Sequence, residues 1–225
     1  MRGVVVAKLA LGTAQFGSDY GVKKDGQPSL AEIKQILSLA RRSGIDMIDT
    51  APAYNLPAID FTGFKVVQKT PYGGRAYALL HHNPDGDIEN LLWARGRVEK
   101  VGVSVYTVEQ MEQALHTDID IIQIPLSIAD NRLIPHLPKL RERGIEIHAR
   151  SVFLQGALLI GKGVPKMSVE KCLGFALHQD VDYVVVGVNN VKQLRELLRV
   201  EPKNYEGLNI TDERVIDPRK WEGAK

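Results

Sequence analysis

Short β-rich runs alternate with helical patterns along almost the whole chain, and this alternation restricts the fold more than any other feature. Eight runs have the composition of strands: KLALG, DMIDT, FKVVQK, YALLHH, KVGVSV, DIIQIP, IEIHAR and DYVVVGV. Several are apolar at consecutive positions, which is typical of parallel strands covered on both faces. Eight β-then-α units favour a closed (β/α)8 TIM barrel, although periodicity alone leaves an open doubly wound sheet as the alternative.

The helical segments between these runs have readable starts. A Ser, Thr or Asn followed three residues later by Glu or Gln predicts a capped helix start. The pairs are Ser29 with Glu32, Thr107 with Gln110, and Asn190 with Gln193. No linker or shift in composition marks a second domain, so residues 1–225 are predicted to form a single domain.

Two connections lack a helical pattern. Only PYGGRA separates the third strand from the fourth, and PAYNLPAIDFTG between the second and third has two prolines and no helical period. Six extended residues span roughly 20 Å, enough to return along one short strand. We therefore predict an incomplete barrel that lacks the helices after strands 2 and 3. The apolar strand surface left there predicts a homodimer through this flank.

A β-hairpin is the competing interpretation of FKVVQKTPYGGRAYALLHH. In a hairpin, Lys69 and His82 would lie at opposite ends, roughly 20 Å apart by strand rise. In a parallel arrangement both would lie at the carboxyl-terminal rim, where barrel active sites are assembled.

Composition excludes several classes of protein. The net charge is +2 with both signs mixed along the chain, which argues against a nucleic-acid partner. No apolar run is long enough to span a membrane, and MRGVVVAKLALGTA is better interpreted as a first strand than as a signal peptide. The single cysteine, Cys172, is typical of a reducing compartment. We expect a cytoplasmic protein without a membrane partner.

Four polar residues fall at or just beyond consecutive strand ends in the barrel: Asp49, Tyr54, Lys69 and His82. An ammonium group beside a phenol favours the phenolate, and a carboxylate keeps a lysine charged at an apolar barrel mouth. A histidine opposite them can donate a hydrogen bond to a carbonyl oxygen. Each residue alone has an ordinary structural explanation, but together they suit protonation of an oxygen while hydride arrives at carbon. Such a set predicts carbonyl reduction.

The order of the motifs resembles the aldo-keto reductase superfamily from about Leu9 to Leu198. The motifs are LALGTAQFGSDYGV, GIDMIDTAPAY, VVQKT, LLHHNPD, VGVSVY, IIQIP, ARSVFLQGALL and VVVGVNNVKQL. GTAQFGSDYGV with SVFLQGALL is similar to a bacterial branch associated with surface-polysaccharide and spore-coat sugar pathways. The resemblance implies a (β/α)8 barrel that uses NADP(H), or less often NAD(H), to reduce a small aldehyde, ketone or sugar carbonyl. It places the catalytic tetrad on Asp49, Tyr54, Lys69 and His82, with Tyr54 as proton donor.

The same resemblance implies the residues that would bind the cofactor. Thr13 would border it, Ser104 and Gln123 would bind the nicotinamide carboxamide, and Arg150 stands where many members stack an aromatic ring. The pyrophosphate would follow Ser151, Leu154, Gln155 and Gly156. The adenosine phosphates would contact Gly187, Asn189, Asn190, Lys192 and Gln193, with Glu196 near adenine. No metal site is predicted.

Departures from the family pattern keep two alternatives open. The helices missing after strands 2 and 3, and Val105 where Asn is frequent, put activity in doubt more than fold. One alternative is a catalytically silent barrel that acts as a binding or scaffold protein. The other is an isomerase or lyase that uses Lys69 as a base or Schiff-base amine.

Overall fold

Eight parallel strands close into a barrel in chain order in the computed structural model, which describes residues 8–69, 76–82 and 93–221. The strands are β1 (Lys8–Gly12), β2 (Met47–Thr50), β3 (Lys65–Lys69), β4 (Ala78–His82), β5 (Lys100–Ser104), β6 (Ile121–Pro125), β7 (Glu146–Arg150) and β8 (Tyr183–Gly187). β8 pairs with β1, so the sheet has no edge. The predicted closed barrel is confirmed, and the open sheet is wrong.

β3 and β4 are parallel, so the hairpin alternative is wrong. Ala78, the first residue of β4, pairs with Val67 and not with Lys65, the first residue of β3. The connection therefore descends by only two residues, about 7 Å at the usual rise per strand residue. This small descent explains how so short a connection can join two parallel neighbours.

The offset between β3 and β4 is one of four around the barrel. β1 and β2, β5 and β6, and β7 and β8 are displaced in the same way, by two residues each. The other four strand pairs begin level with one another. Four steps of two residues give a total stagger of eight, the value of an eight-stranded (β/α)8 barrel.

The helices are short apart from two. They are α1 (Ala14–Gly17), α2 (Leu30–Arg42), α3 (Val108–Ala114), α4 (Leu137–Glu142), α5 (Ala157–Ile160), α6 (Val169–His178), α7 (Val191–Leu197) and α8 (Glu213–Ile216). Short 3-10 turns cover Pro52–Tyr54, Ile134–His136, Leu154–Gly156 and Pro218–Lys220. None of the helices described has the length and apolar character that a membrane span requires.

The three predicted helix caps are present. The side chains of Ser29, Thr107 and Asn190 accept hydrogen bonds from the backbone amides three residues later. Glu32 departs from the expected capping box, because its carboxylate accepts from the Val191 amide at 2.7 Å. It thereby ties the start of α2 to the start of α7.

The core has two layers. The barrel interior is filled by inward-facing side chains of Ala10, Met47, Val67, Ala78, Leu80, Ile121 and Tyr183. The larger layer lies outside the strands, where the helices and loops cover outward residues such as Leu11, Ile48 and Val184. The strands are apolar on both faces for this reason, as the sequence pattern predicted.

Charged side chains close the amino-terminal end of the barrel. Glu146 forms an ion pair with Lys100, and its Oε1 lies 2.7 Å from Nε2 of the fully buried His148. Burial alone would raise the pKa of Glu146, but His148 and Lys100 outweigh it and lower that pKa to about 2. These side chains fill the amino-terminal end of the barrel, so a ligand can enter only from the carboxyl-terminal end.

The flank predicted to lack helices is covered by a loop. Between β2 and β3 the chain forms only the Pro52–Tyr54 turn, so the predicted loss of a helix there is confirmed. Side chains of Leu56, Ile59, Phe61 and Phe64 pack against the core, while Val66 on β3 stays partly exposed. The connection after β3, where the second missing helix was predicted, falls mostly on residues 70–75, which lie outside the described residues. Asn83 to Asp85, which follow His82, also lie outside them. The homodimer through this flank stays a prediction.

Truncation of Leu80 tests the packing of the barrel interior. Leu80 is 0% exposed, so Leu80→Ala leaves a cavity and is expected to lower the free energy of unfolding by about 2–5 kcal/mol. Leu30→Ala is the matched control, because half of Leu30 is exposed at the first turn of α2, and its effect should stay within about 0.5 kcal/mol. Guanidinium unfolding measures both. Equal losses would contradict the interior placement of Leu80.

Candidate active site

A cavity of about 430 Å³ opens at the carboxyl-terminal ends of the strands. All four residues of the predicted tetrad line it, and His82 rather than its neighbour His81 does so. A cavity of this size, lined by apolar walls and a few convergent polar groups, is typical of a small-molecule site. It is the candidate active site.

Lys69 is the centre of the polar cluster. Its Nζ donates to Asp49 Oδ1 at 2.8 Å and to the Tyr54 hydroxyl at 3.2 Å. Lys69 is 6% exposed and Asp49 is 3% exposed. Burial alone would lower the pKa of Lys69, but the charge of Asp49 and then Tyr54 outweigh it, so this pKa is raised above its ordinary value. The lysine is therefore a fixed cation beside a phenol.

His82 faces the same cavity from β4. Lys69 pairs in register with Leu80, so His82 lies two residues further toward the rim on the adjacent strand. Burial, then the positive charges of Lys69 and Arg150, lower the pKa of His82 to about 4. A neutral imidazole at pH 7 can donate one hydrogen bond to a carbonyl oxygen without carrying a charge.

Tyr54 is placed by a close backbone contact. It ends the 3-10 turn that begins at Pro52, and Asn55 after it has a left-handed conformation. A Cβ atom at Gly17, the last residue of α1, would lie 1.6 Å from the Tyr54 carbonyl oxygen. Only glycine at position 17 lets α1 pack against this turn, so Gly17 fixes the depth of Tyr54 in the cavity.

A chain of hydrogen bonds runs beneath the cavity floor. Gln123 Nε2 donates to Asp49 Oδ2 at 2.8 Å, and the Ser104 hydroxyl donates to Gln123 Oε1 at 3.1 Å. Arg150 Nε in turn donates to Ser104 Oγ at 3.2 Å. Ser104 and Gln123 are fully buried and do not line the cavity. In this arrangement they hold the Asp49 carboxylate, and their predicted contact with a carboxamide stays a prediction.

The loop after β7 has the most unusual backbone near the cavity. Ser151, Leu154 and Gln155 have positive φ angles, as does Gly156. Non-glycine residues in this conformation are strained, and such strain concentrates at functional sites. A Cβ atom at Gly156 would meet only Val22, at 3.9 Å, so there is space beside the backbone there.

The loop between α1 and α2 lies beside the cavity. The Val22 amide donates to the Gln155 carbonyl at 3.0 Å, and Asn189 Nδ2 donates to the Gly26 carbonyl at 2.7 Å. Tyr20, Gly21, Lys23 and Asp25 from this loop line the cavity. The cavity thus has walls from β1, β7, β8 and α7.

The predicted cofactor residues divide into two groups. Thr13, Arg150, Ser151, Gln155, Gly156, Gly187, Asn189, Gln193 and Glu196 line the cavity. Leu154 is buried beneath it, Asn190 caps α7 through the Gln193 amide, and Lys192 is exposed away from the lining. With Lys192 outside the lining, Arg150 is the one cation among the predicted cofactor residues that line the cavity.

Three residues at the cavity mouth had no predicted role. Tyr20 places a second phenol near Tyr54, and its partial burial, with Tyr54 as the next cause, raises its pKa above the ordinary value although 39% of the residue is exposed. The guanidinium groups of Arg150 and Arg219 lie 4.0 and 3.5 Å from the Tyr106 ring centroid, close enough that they occupy its two faces. VGVSVY contains Tyr106, but Arg219 lies beyond the region of family resemblance, so only the fold could bring it here.

Within the part of the chain that the structure describes, no group of three or more His, Cys, Asp or Glu side chains could hold a metal ion. Cys172 is fully buried, and burial raises the pKa of its thiol to about 12.

Comparisons with known proteins agree on the fold. No protein-family model matches the chain, and no curated protein matches its sequence. The holo form of aldo-keto reductase AKR11C1 from Bacillus halodurans superposes with a TM-score of 0.66 and 14% identity, over 90% of this chain and 92% of that one. PA4992 from Pseudomonas aeruginosa, a proposed aldo-keto reductase, gives a TM-score of 0.67 and 23% identity, over 87% of this chain and 90% of that one. The chain thus has the barrel fold seen in aldo-keto reductases.

Substitution of Gly17 tests how Tyr54 is placed. Gly17→Ala should displace the Tyr54 backbone, because the new Cβ has no room beside its carbonyl oxygen. Gly144→Ala is the control, since a Cβ there meets nothing within 4 Å while its positive φ imposes a strain of about 1 kcal/mol. We expect Gly17→Ala, but not Gly144→Ala, to alter the binding of NADPH in the cavity. Tyrosine and tryptophan fluorescence measures binding under conditions in which both variants are folded. Unchanged binding would contradict the role given to Gly17.

The protonation of His82 can be followed by NMR. Because its pKa is lowered to about 4, the imidazole should remain neutral from pH 7 down to about pH 5 and gain its proton only below that. The His82→Gln variant identifies the signal. Arg150→Met should raise the His82 pKa, because it removes one of the positive charges that lower it. Titration of His82 near its ordinary value of about 6.5 would contradict this environment.

Proposed function

We propose that the protein is an NAD(P)H-dependent reductase of a small aldehyde, ketone or sugar carbonyl. One observation carries this proposal: Lys69 Nζ joins the Asp49 carboxylate to the Tyr54 hydroxyl in a cavity that His82 also lines. The fold seen in aldo-keto reductases adds support.

Tyr54 is the proposed proton donor. Its hydroxyl lies at the cavity wall, where it can give a proton to a carbonyl oxygen as negative charge develops there. The fixed positive charge of Lys69 favours the phenolate that remains. Asp49 keeps Lys69 charged and directs its Nζ toward Tyr54, and Gln123 keeps Asp49 in place.

His82 is the proposed group that orients the substrate oxygen. Its imidazole is neutral at pH 7, so one ring N–H can donate to the carbonyl oxygen from the β4 side of the cavity. His82 is exposed, which leaves this side of the cavity open to water. Hydrogen bonds that face water stabilise a developing charge less than enclosed ones do.

A nicotinamide cofactor, when bound, supplies the hydride that reduces the carbonyl carbon. We assign its binding to the predicted residues other than Arg150 that line the cavity: Thr13, Ser151, Gln155, Gly156, Gly187, Asn189, Gln193 and Glu196. NADP(H) remains the preferred form on the family resemblance. The bacterial surface-polysaccharide branch is likewise proposed from GTAQFGSDYGV and SVFLQGALL alone.

The state of Lys69 argues against one alternative function. An isomerase or lyase that uses Lys69 as a base or a Schiff-base amine needs this amine uncharged. The ion pair with Asp49 raises the pKa of Lys69 and keeps it protonated. This supports carbonyl reduction over amine chemistry.

Removal of the Tyr54 hydroxyl tests the proposed reaction. Tyr54→Phe should lower kcat for NADPH-dependent aldehyde reduction by at least about 100-fold, because it removes the proton donor. NADPH binding, measured by fluorescence, should persist. Tyr205→Phe is the matched control, since the Tyr205 hydroxyl bonds to Glu170 away from the cavity lining. Absence of turnover in the wild type across a panel of aldehydes, ketones and sugars would favour the silent barrel.

A further inference from the structure

Among the residues that the structure describes, one cation that lines the cavity has no carboxylate partner. Four cationic side chains line it, and three of them are in ion pairs with carboxylates. The pairs are Lys23 with Asp25 at 3.1 Å, Lys69 with Asp49 at 2.8 Å, and Arg219 with Asp217 at 2.6 Å. Arg150, the fourth, forms no ion pair with any described residue. A partly buried guanidinium without a counter-charge is costly to maintain, and an anionic ligand would offset that cost.

Arg150 is held rigidly at the mouth. Nε donates to Ser104 Oγ at 3.2 Å, Nη1 to Ser151 Oγ at 3.0 Å and Nη2 to the Val105 carbonyl at 2.8 Å. The Tyr106 ring lies against the guanidinium plane. Since a guanidinium has five N–H groups, one on each terminal nitrogen remains for a ligand. Donors on neighbouring guanidinium nitrogens can bind carboxylate or phosphate oxygens in a bidentate manner.

The position of Arg150 relates it to the tetrad. Ser104, which accepts the Arg150 Nε–H, is the register partner of His82 on the adjacent strand. The positive charge of Arg150 also acts on His82, Lys69 and Tyr20. An anionic group on a substrate whose carbonyl oxygen contacts Tyr54 and His82 would therefore lie in the field of the Arg150 charge.

We infer that Arg150 is the recognition residue for an anionic group, carboxylate or phosphate, carried close to the carbonyl of the substrate. This inference deepens the proposed reductase function and rests on it for the identity of the ligand as a carbonyl compound. Tyr106, with Arg150 and Arg219 on its two faces, fixes the direction of the guanidinium. The competing role is that Arg150 contacts the nicotinamide of the cofactor, and the experiment separates the two.

The test compares anionic and neutral aldehydes of matched shape on the full chain. The carboxylate arm is 4-carboxybenzaldehyde against benzaldehyde, and the phosphate arm is glyceraldehyde 3-phosphate against glyceraldehyde. Wild-type protein should favour the anionic member of at least one arm by about 10-fold or more in kcat/KM, the range of a charge-assisted hydrogen bond. The arm that shows the preference identifies the anion.

Variants assign this preference to Arg150. Arg150→Met should abolish it, with a loss in kcat/KM at least about 10-fold larger for the anionic aldehydes than for the neutral ones and a change in the Kd for NADPH of less than about threefold. Arg150→Lys should keep part of it, because it retains the charge and loses the fork. Arg199→Met, at an exposed arginine outside the cavity lining, is the control and should behave as wild type. Equal losses for anionic and neutral aldehydes, or a large loss of NADPH affinity, would overturn the inference in favour of a cofactor contact.

Binding without turnover keeps the two proposals separate. Calorimetric titration of the wild-type chain with benzoate and with benzamide, a neutral analogue, requires no catalysis and no folded variant. Benzoate should bind about 10-fold more tightly or better. Equal affinity for the two overturns the anion site even if the protein reduces aldehydes. A preference for benzoate supports it even if no aldehyde is reduced.

Discussion

The buried ion pair between Lys69 and Asp49 is the interaction on which the rest of the site depends. Both side chains are almost fully removed from water, and such a pair persists only when further hydrogen bonds satisfy it. Gln123 donates to the free carboxylate oxygen and Tyr54 accepts from the ammonium. If either charge were removed, the other would remain buried and uncompensated. The barrel therefore keeps the phenol, the amine and the acid together as one unit.

Much of this architecture could be predicted because it depends on local patterns. Parallel strands buried on both faces are apolar at successive positions, and their carboxyl ends meet at one rim, so residues that follow consecutive strands must converge. The convergence of Asp49, Lys69 and His82 therefore follows from the parallel arrangement of the strands alone. The choice between hairpin and parallel pair could not be made from loop length, because it depends on an offset in register that only the closed barrel defines.

Other parts of the site depend on long-range packing and were not predictable. Whether Ser104 and Gln123 face the cavity or lie beneath it depends on which partners their polar atoms find, and here they bond to each other and to Asp49. Arg219 reaches the mouth because α8 and the turn after it return to the barrel, which no local pattern indicates. Gly17 is a glycine because of a residue 37 positions away, and its role was visible only as a backbone contact.

The stagger of the strands also affects the length of the connection that each pair of neighbouring strands requires. Where two strands start level with each other, a connection must run the full height of the sheet, and a helix is the usual means. Where the second strand starts two residues higher, part of that height has already been gained through the tilt of the strands about the barrel axis. The shortest connection here falls at such a step. The connection at the stepped junction of β3 and β4 is accordingly shorter than the one at the level junction of β2 and β3, which has also lost its helix.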